Sequence, residues 1–106
     1  MNKFEQLTAD LRAAHDEALE KYGSSEDGGT RNFDAPTLYL LRWHHAEVEA
    51  AISAAGLTGR FWRFAGEWII GPGGSGQGNR RTRVAEAMRD ALRKKGYETG
   101  MYYQMD

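Results

Sequence analysis

A segment rich in glycine and arginine, residues 71–83, has the residue types best suited to bind an anion. It lies between a predicted strand and a predicted helix. Unhindered backbone N–H groups, the positive end of a helix dipole and bidentate guanidinium groups all bind phosphate or carboxylate. The candidate anion- or partner-binding residues are therefore Gly76, Gln77, Gly78, Asn79, Arg80, Arg81 and Arg83.

Neither nucleotide-binding motif is complete in this segment. Residues 71–76 match G-x-G-x-x-G, but three more residues precede the predicted helix, and the remaining chain is too short for the second half of a dinucleotide-binding fold. Residues 73–78 have the glycine spacing of a P-loop, yet Asn79 and Arg80 stand where Lys and Ser/Thr are required. A flexible loop leading into a solvated helix is the alternative interpretation.

The charge of the chain is unevenly distributed. Residues 1–34 carry four basic and eight acidic side chains, whereas residues 80–95 carry seven basic and two acidic ones. The basic helix can attract an anionic partner such as a nucleic-acid backbone, or the two ends of the chain can attract each other. The aromatic signature of RNA-binding sheets is missing. Nucleic-acid binding is therefore an alternative function here, and intramolecular attraction is the simpler interpretation.

A second candidate segment, the polar loop 24–36, contains Asp27, Asn32, Phe33 and Asp34. Their carboxylates and amides are suited to catalysis or metal binding, but the D-x-[DN]-x-[DN]-G spacing of a calcium loop is absent. Structural roles are favoured. Phe33 is expected to insert as an anchor, and Asp34 to accept backbone N–H groups in an Asx-type turn.

No catalytic residue, metal site or cofactor is predicted. The pair His44 and His45 with the nearby Glu47 and Glu49 lacks a metal-binding spacing. Cysteine is absent, which excludes disulfides and thiolate chemistry. The chain is accordingly interpreted as a non-enzymatic protein, although the sequence does not settle this.

The periodicity of apolar residues predicts the elements that position these segments. Three helical stripes and four strand-like segments are present. The helices are predicted at 2–22, at about 48–55 and after an N-cap at Asn79 or Thr82. The strands are predicted at 37–42, on either side of a turn at Ala65-Gly66, and at 97–105. The order is an N-terminal helix followed by β-α-β-β-α-β, which predicts an α+β, ferredoxin-like unit with its two inner helices on one face of a small sheet. The N-terminal helix is expected to cover an edge or part of the other face.

Length and composition predict one domain over residues 1–106. No segment has the roughly 20 apolar residues of a membrane span, and the first residues lack the order of a signal peptide. A cytoplasmic location is the simplest expectation. Three Trp and five Tyr are many for this length, and aromatic residues with nearby arginine are the composition of a protein-binding hot spot.

Three blocks of sequence resemble a family of small uncharacterised proteins from bacterial phages and mobile elements. These blocks are residues 28–36 (GGTRNFDAP), 76–83 (GQGNRRTR) and the ending 102–106 (YYQMD). The resemblance implies a bacterial cytoplasm and a small binding or inhibitory protein, and it assigns no functional residue. The function expected is therefore that of a protein-binding module acting on a bacterial host protein, with anion or nucleic-acid binding through residues 71–95 as the alternative.

Overall fold

The computed structural model describes residues 1–22, 34–71 and 79–103, excluding the side chains of Asn79 and Arg80. Within these residues it contains three helices and four strands, which are α1 (Lys3–Tyr22), β1 (Ala35–Leu38), α2 (His45–Ala54), β2 (Thr58–Trp62), β3 (Glu67–Gly71), α3 (Asn79–Lys94) and β4 (Thr99–Tyr102). The predicted α+β class is confirmed.

The four strands form one sheet in the order β2-β3-β1-β4, and every neighbouring pair is antiparallel. β1 is central and all four of its residues are buried. Only Thr37 and Leu38 belong to the apolar run that predicted a buried strand, whereas Ala35 and Pro36 belong to the predicted loop. Its pairing with β3 is confined to Thr37 and Leu38. Pro36, one residue earlier, has no N–H to donate to that strand.

The predicted bounds of β1 are wrong. The apolar run predicted a strand over residues 37–42, but β1 ends at Leu38, and Leu41 is 62% exposed. The register places Glu67, the first residue of β3, opposite Tyr39, so β3 offers no partner beyond that point. The chain turns instead, and Arg42 adopts a φ of 67°. Within the described residues the last strand, β4, covers only Thr99–Tyr102 of the predicted 97–105, and residues 104 and 105 lie outside the described residues.

Helix α1 begins and packs as its sequence pattern predicts. The Asn2 side chain accepts hydrogen bonds from the backbone N–H groups of Phe4 and Glu5, at 3.0 and 2.9 Å. The predicted apolar stripe consists of Phe4, Leu7, Leu11, Ala14 and Ala18; the last four are fully buried, and Phe4 is partly buried against the core. These residues lie in one core cluster with residues of α2, α3 and the sheet, including Leu38 and Trp68.

The expected position of α1 is wrong. It covers neither a sheet edge nor the second sheet face, but packs against α3 and α2. Three hydrogen bonds hold it there, from Thr8 Oγ1 to the Ala51 carbonyl (2.9 Å), from Arg12 Nη2 to the Ala54 carbonyl (2.7 Å) and from Tyr97 Oη to Asp10 Oδ2 (2.6 Å). The carbonyls at the end of α2 and an acidic side chain of α1 thus gain donors from other elements.

The two faces of the sheet are therefore unlike. Strand alternation places Leu38, Trp68 and Ile70 on the helix-covered face, in the core. Trp68 Nε1 is buried there with no hydrogen-bond acceptor in the described part of the chain. Thr37 and Ile69 lie on the opposite face, against which none of the described helices packs.

Candidate binding surface

The two segments singled out in the sequence meet at Asp34. This residue is 3% exposed, and its Oδ2 accepts a hydrogen bond from Thr82 Oγ1 at 2.6 Å. Arg81 Nε donates to the Asp34 carbonyl oxygen at 3.2 Å. The structure therefore brings Asp34 of the second candidate segment against Arg81 of the first.

This contact changes the interpretation of the start of α3. Thr82 lies in the first turn of the helix, where the helix dipole favours negative charge. A buried carboxylate of the chain itself lies at that place. Asp34 thus fills, from within the molecule, part of the anion-binding role that the sequence assigned to an external ligand.

The other candidate residues are distributed differently. Arg83 is exposed, and it forms no hydrogen bond or ion pair with any residue that the structure describes. Asn79 and Arg80 belong to the first turn of α3, but their side chains lie outside the described residues. The same holds for the whole of Gly76, Gln77, Gly78, Asp27, Asn32 and Phe33.

Several cations of α3 have partners within the molecule. Arg89 Nε donates to Asp90 Oδ1 at 2.9 Å, and this hydrogen bond raises the pKa of the Arg89 guanidinium. Arg93 donates to the side chain and the carbonyl of Thr99, at 3.2 and 3.4 Å. The acidic α1 packs against the basic α3, but no ion pair joins these two helices among the described residues.

A groove of about 570 Å³ lies between α1 and α3. Both signs of charge line it, in Glu17, Lys21, Arg83, Glu86, Asp90 and Lys94 among others. Lys21 already pairs with Glu17 at 3.7 Å, and Glu86 accepts from Tyr103 Oη at 2.8 Å. Such a mixed surface is not specialised for an anion.

The face opposite the helices carries an aromatic pair. The rings of Trp62 and Tyr102 meet edge to face, with centroids 5.3 Å apart. They belong to the two edge strands, β2 and β4, so this contact spans the sheet. A Cβ atom added to Gly100 would lie 2.9 Å from Thr37 Oγ1, so glycine leaves the space in which Thr37 donates to Glu67 Oε1 at 3.2 Å.

The tip of the β2–β3 hairpin presents a further aromatic ring. Phe64 is 84% exposed, and the Arg63 guanidinium lies 5.4 Å from the centroid of its ring. Tyr39 lies at the same end of the sheet, because a Cβ added to Gly66 in the hairpin would be 3.4 Å from the Tyr39 ring, and the exposed Leu41 follows two residues later. We call Trp62, Tyr102, Phe64, Leu41 and Arg63 the aromatic surface.

The sequence predicted a binding hot spot from aromatic residues with nearby arginine but did not single out Phe64. A usable signal was present, since a phenylalanine within a four-residue turn between two strands has no strand face on which to be buried.

His44 and His45 lie at the start of α2. His44 Nδ1 is 4.0 Å from Glu47 Oε2, and the His45 ring centroid is 4.3 Å from that of Phe61.

No three His, Asp or Glu side chains converge in a way that could hold a metal ion within residues 1–22, 34–71 and 79–103. None of the helices described is long and apolar enough to cross a membrane. Comparison with models of known protein families, with curated proteins and with solved structures gives no match.

Proposed function

We propose that the chain is a non-enzymatic binding module, of the kind carried by phages and mobile elements, that binds a bacterial host protein in the cytoplasm through the aromatic surface. The observation that carries this proposal is the 84% exposure of Phe64 beside Arg63. Aromatic and arginine side chains dominate the binding energy of protein interfaces. The Trp62–Tyr102 pair extends the same composition across the sheet face without helices.

The proposed scaffold is ferredoxin-like. This proposal is supported by the strand order β2-β3-β1-β4. Read from the other edge of the sheet, the order is β4-β1-β3-β2, and every neighbouring pair of strands is antiparallel. In such a unit the two crossover helices lie on one face. None of the described helices covers the other face, where Thr37 and Ile69 are buried and Trp62 and Tyr102 are half-buried.

A non-enzymatic role also agrees with the contacts of the buried Asp34 carboxylate. Asp34, the described carboxylate most shielded from solvent, is bound by Thr82 and lies beside Arg81. A catalytic carboxylate needs access to a substrate proton. Asp34 instead joins the segment before β1 to α3.

The test is capture of a partner from a bacterial lysate by the immobilised chain and by two single variants, Phe64→Ser and Leu19→Ser. Both replaced side chains are exposed, at 84% and 44%, but Leu19 lies on α1, away from the aromatic surface. The expected result is one stoichiometric protein that is lost with Phe64→Ser and retained with Leu19→Ser. Equal capture by both variants, or no stoichiometric protein, would overturn the proposal.

A second candidate function is binding of a nucleic-acid backbone by α3. It is favoured by Arg83, Lys94 and Lys95, which are exposed and form no ion pair within the described residues. Fluorescence anisotropy with a labelled duplex and a labelled single strand tests it at increasing salt. Affinity that falls steeply with salt and is lost in an Arg83→Ala/Lys94→Ala variant would support this function over the first.

A further inference from the structure

We propose that the partner contributes an extended segment that adds to the sheet as a fifth strand along β2, with an acidic side chain opposite Arg60. This inference rests on the proposed function, because it specifies how a protein partner is bound. Its basis is the outer edge of β2, which pairs with no other strand of the described sheet and adjoins the aromatic surface at Trp62. Addition of a strand to a sheet edge is an established mode of peptide recognition.

The direction of the backbone groups follows from one hydrogen bond. The Tyr39 N–H donates to the Glu98 carbonyl, so Tyr39 directs its backbone groups toward β4, and Thr37 does the same two residues earlier. The backbone groups of Leu38 then point the other way, to its partner Trp68 in β3. Alternation along β1 thus fixes the alternation along β3.

The same alternation fixes the outer edge of the sheet. Since Trp68 points to β1, Ile69 points to β2, where it is opposite Arg60. Gly59 and Phe61, on either side of Arg60, therefore direct their N–H and C=O groups away from β3. None of the turn, loop and cap hydrogen bonds in the described part of the chain reaches these four groups.

The opposite edge is less open. The Arg93 guanidinium donates to the Thr99 carbonyl at 3.4 Å and to the Thr99 hydroxyl at 3.2 Å. By alternation from Glu98, the Thr99 carbonyl points to the outer side of β4. A side chain of α3 thus occupies part of that edge, whereas β2 contains no proline and carries Arg60 as its only charged residue.

The identity of the occupant follows from Arg60. A second copy of β2 would use all four free groups only in the register that pairs Gly59 with Phe61, and that register places two Arg60 side chains directly opposite each other. Like charges in that position destabilise a strand pair, whereas opposite charges stabilise it. The edge therefore suits a different chain with a carboxylate at that position.

The probe is a set of peptides selected from a displayed library of random ten-residue sequences against the intact chain. Selected peptides are expected to carry an acidic residue, to bind an Arg60→Glu variant roughly three- to tenfold more weakly and to keep their affinity for a Lys21→Glu variant. The second variant makes the same charge change on α1, outside the aromatic surface. Both side chains are exposed, so folding is preserved, which circular dichroism verifies.

Amide hydrogen exchange supplies the decisive readout. Bound peptide is expected to slow exchange at Gly59 and Phe61 at least tenfold. If peptides bind and lose affinity with Phe64→Ser or Arg63→Glu while these amides stay unprotected, the aromatic surface survives and the added strand is overturned. Failure to select any peptide, or a homodimer that protects the same amides, also overturns it. If these amides are protected but the Phe64→Ser variant captures the lysate protein as well as the original chain does, the added strand is supported and binding through the aromatic surface is overturned.

Discussion

Asp34 is the residue whose role in the structure differs most from the role predicted from the sequence. The sequence predicted that it lies in a polar loop and accepts backbone N–H groups in an Asx-type turn. In the fold it is nearly inaccessible, and the Thr82 hydroxyl from the first turn of α3 donates to its carboxylate. A buried carboxylate that loses a donor retains the cost of its desolvation. The pair therefore links the two segments that the sequence presented as separate candidate sites.

Replacement of Thr82 by Val is expected to lower the free energy of unfolding by about 1–3 kcal/mol, because the buried carboxylate loses a donor. In a double-mutant cycle with Asp34→Ala, the two losses should be less than additive. Urea unfolding measures all four proteins. Thr58→Val, which removes a 3.3 Å hydrogen bond at an exposed position, is the control and should cost much less. Full additivity would contradict the proposed coupling.

His15 predicts a dependence of stability on pH. Burial lowers the pKa of this imidazole below 6.5, against a smaller opposing effect of Asp16. The unfolded chain then binds a proton at a higher pH than the folded chain does. Stability is therefore full above about pH 6.5 and falls as the pH decreases below it, by at most about 1.4 kcal/mol per pH unit for one proton. A His15→Gln variant should lose this part of the slope in urea unfolding at several pH values. An unchanged profile would refute the assignment.

At the scale of elements, α2 packs on the edge strand through a close approach at Gly59. A Cβ atom at this glycine would lie 2.6 Å from Ile52 Cδ1 and 3.2 Å from Ile52 Cγ2. Ile52 is fully buried, so its side chain has little room to move. The absence of a side chain at Gly59 thus sets how closely α2 packs on β2.

A Gly59→Ala variant is expected to lose about 1–3 kcal/mol of stability through overpacking. Adding Ile52→Val removes the Cδ1 atom and should restore part of that loss. Thermal unfolding compares the single and double variants. Adding Ile69→Val instead, on the face without helices, is the control and should only lower stability further. Equal effects of the two additions would exclude the close approach as the cause.

At the scale of the whole molecule, α1 belongs to the same core as the sheet. Its four buried apolar residues lie in one cluster with Leu38, Ile70 and Met88, and side chains on α1 cap the end of α2. A helix that supplies one side of a shared core cannot detach without exposing the rest of it. We therefore expect α1 and the sheet to unfold together.

Leu11→Ala tests this cooperativity. Leu11 is fully buried, and its truncation should cost about 2–4 kcal/mol. Tryptophan fluorescence, which reports on Trp43, Trp62 and Trp68, and far-ultraviolet circular dichroism should give coincident transitions in urea, both shifted. Leu19→Ala, on the exposed side of α1, is the control with a smaller shift. A shift confined to the helical signal would show that α1 unfolds separately.

The sequence by itself determined the class of the fold, the order of its elements and the buried stripe of α1. Local patterns carry that information, because each apolar period and each glycine at a helix end acts within a few residues. Gly56 and Gly96, for example, end α2 and α3 with positive φ, at 80° and 101°. The bounds of β1 were set by the partner strand that it meets, and local patterns do not contain that partner.

Only the tertiary structure decided what the candidate site residues do. Asp34 and Thr82 lie 48 residues apart, and their contact depends on how β1 and α3 pack. Arg89 and Arg93, two of the cations that made α3 basic, are bound within the molecule, whereas Phe64 is exposed at the hairpin tip. Exposure and long-range pairing result from packing the whole chain. A charged or aromatic sequence therefore shows which residues are able to bind a partner, and the fold decides which of them remain free to do so.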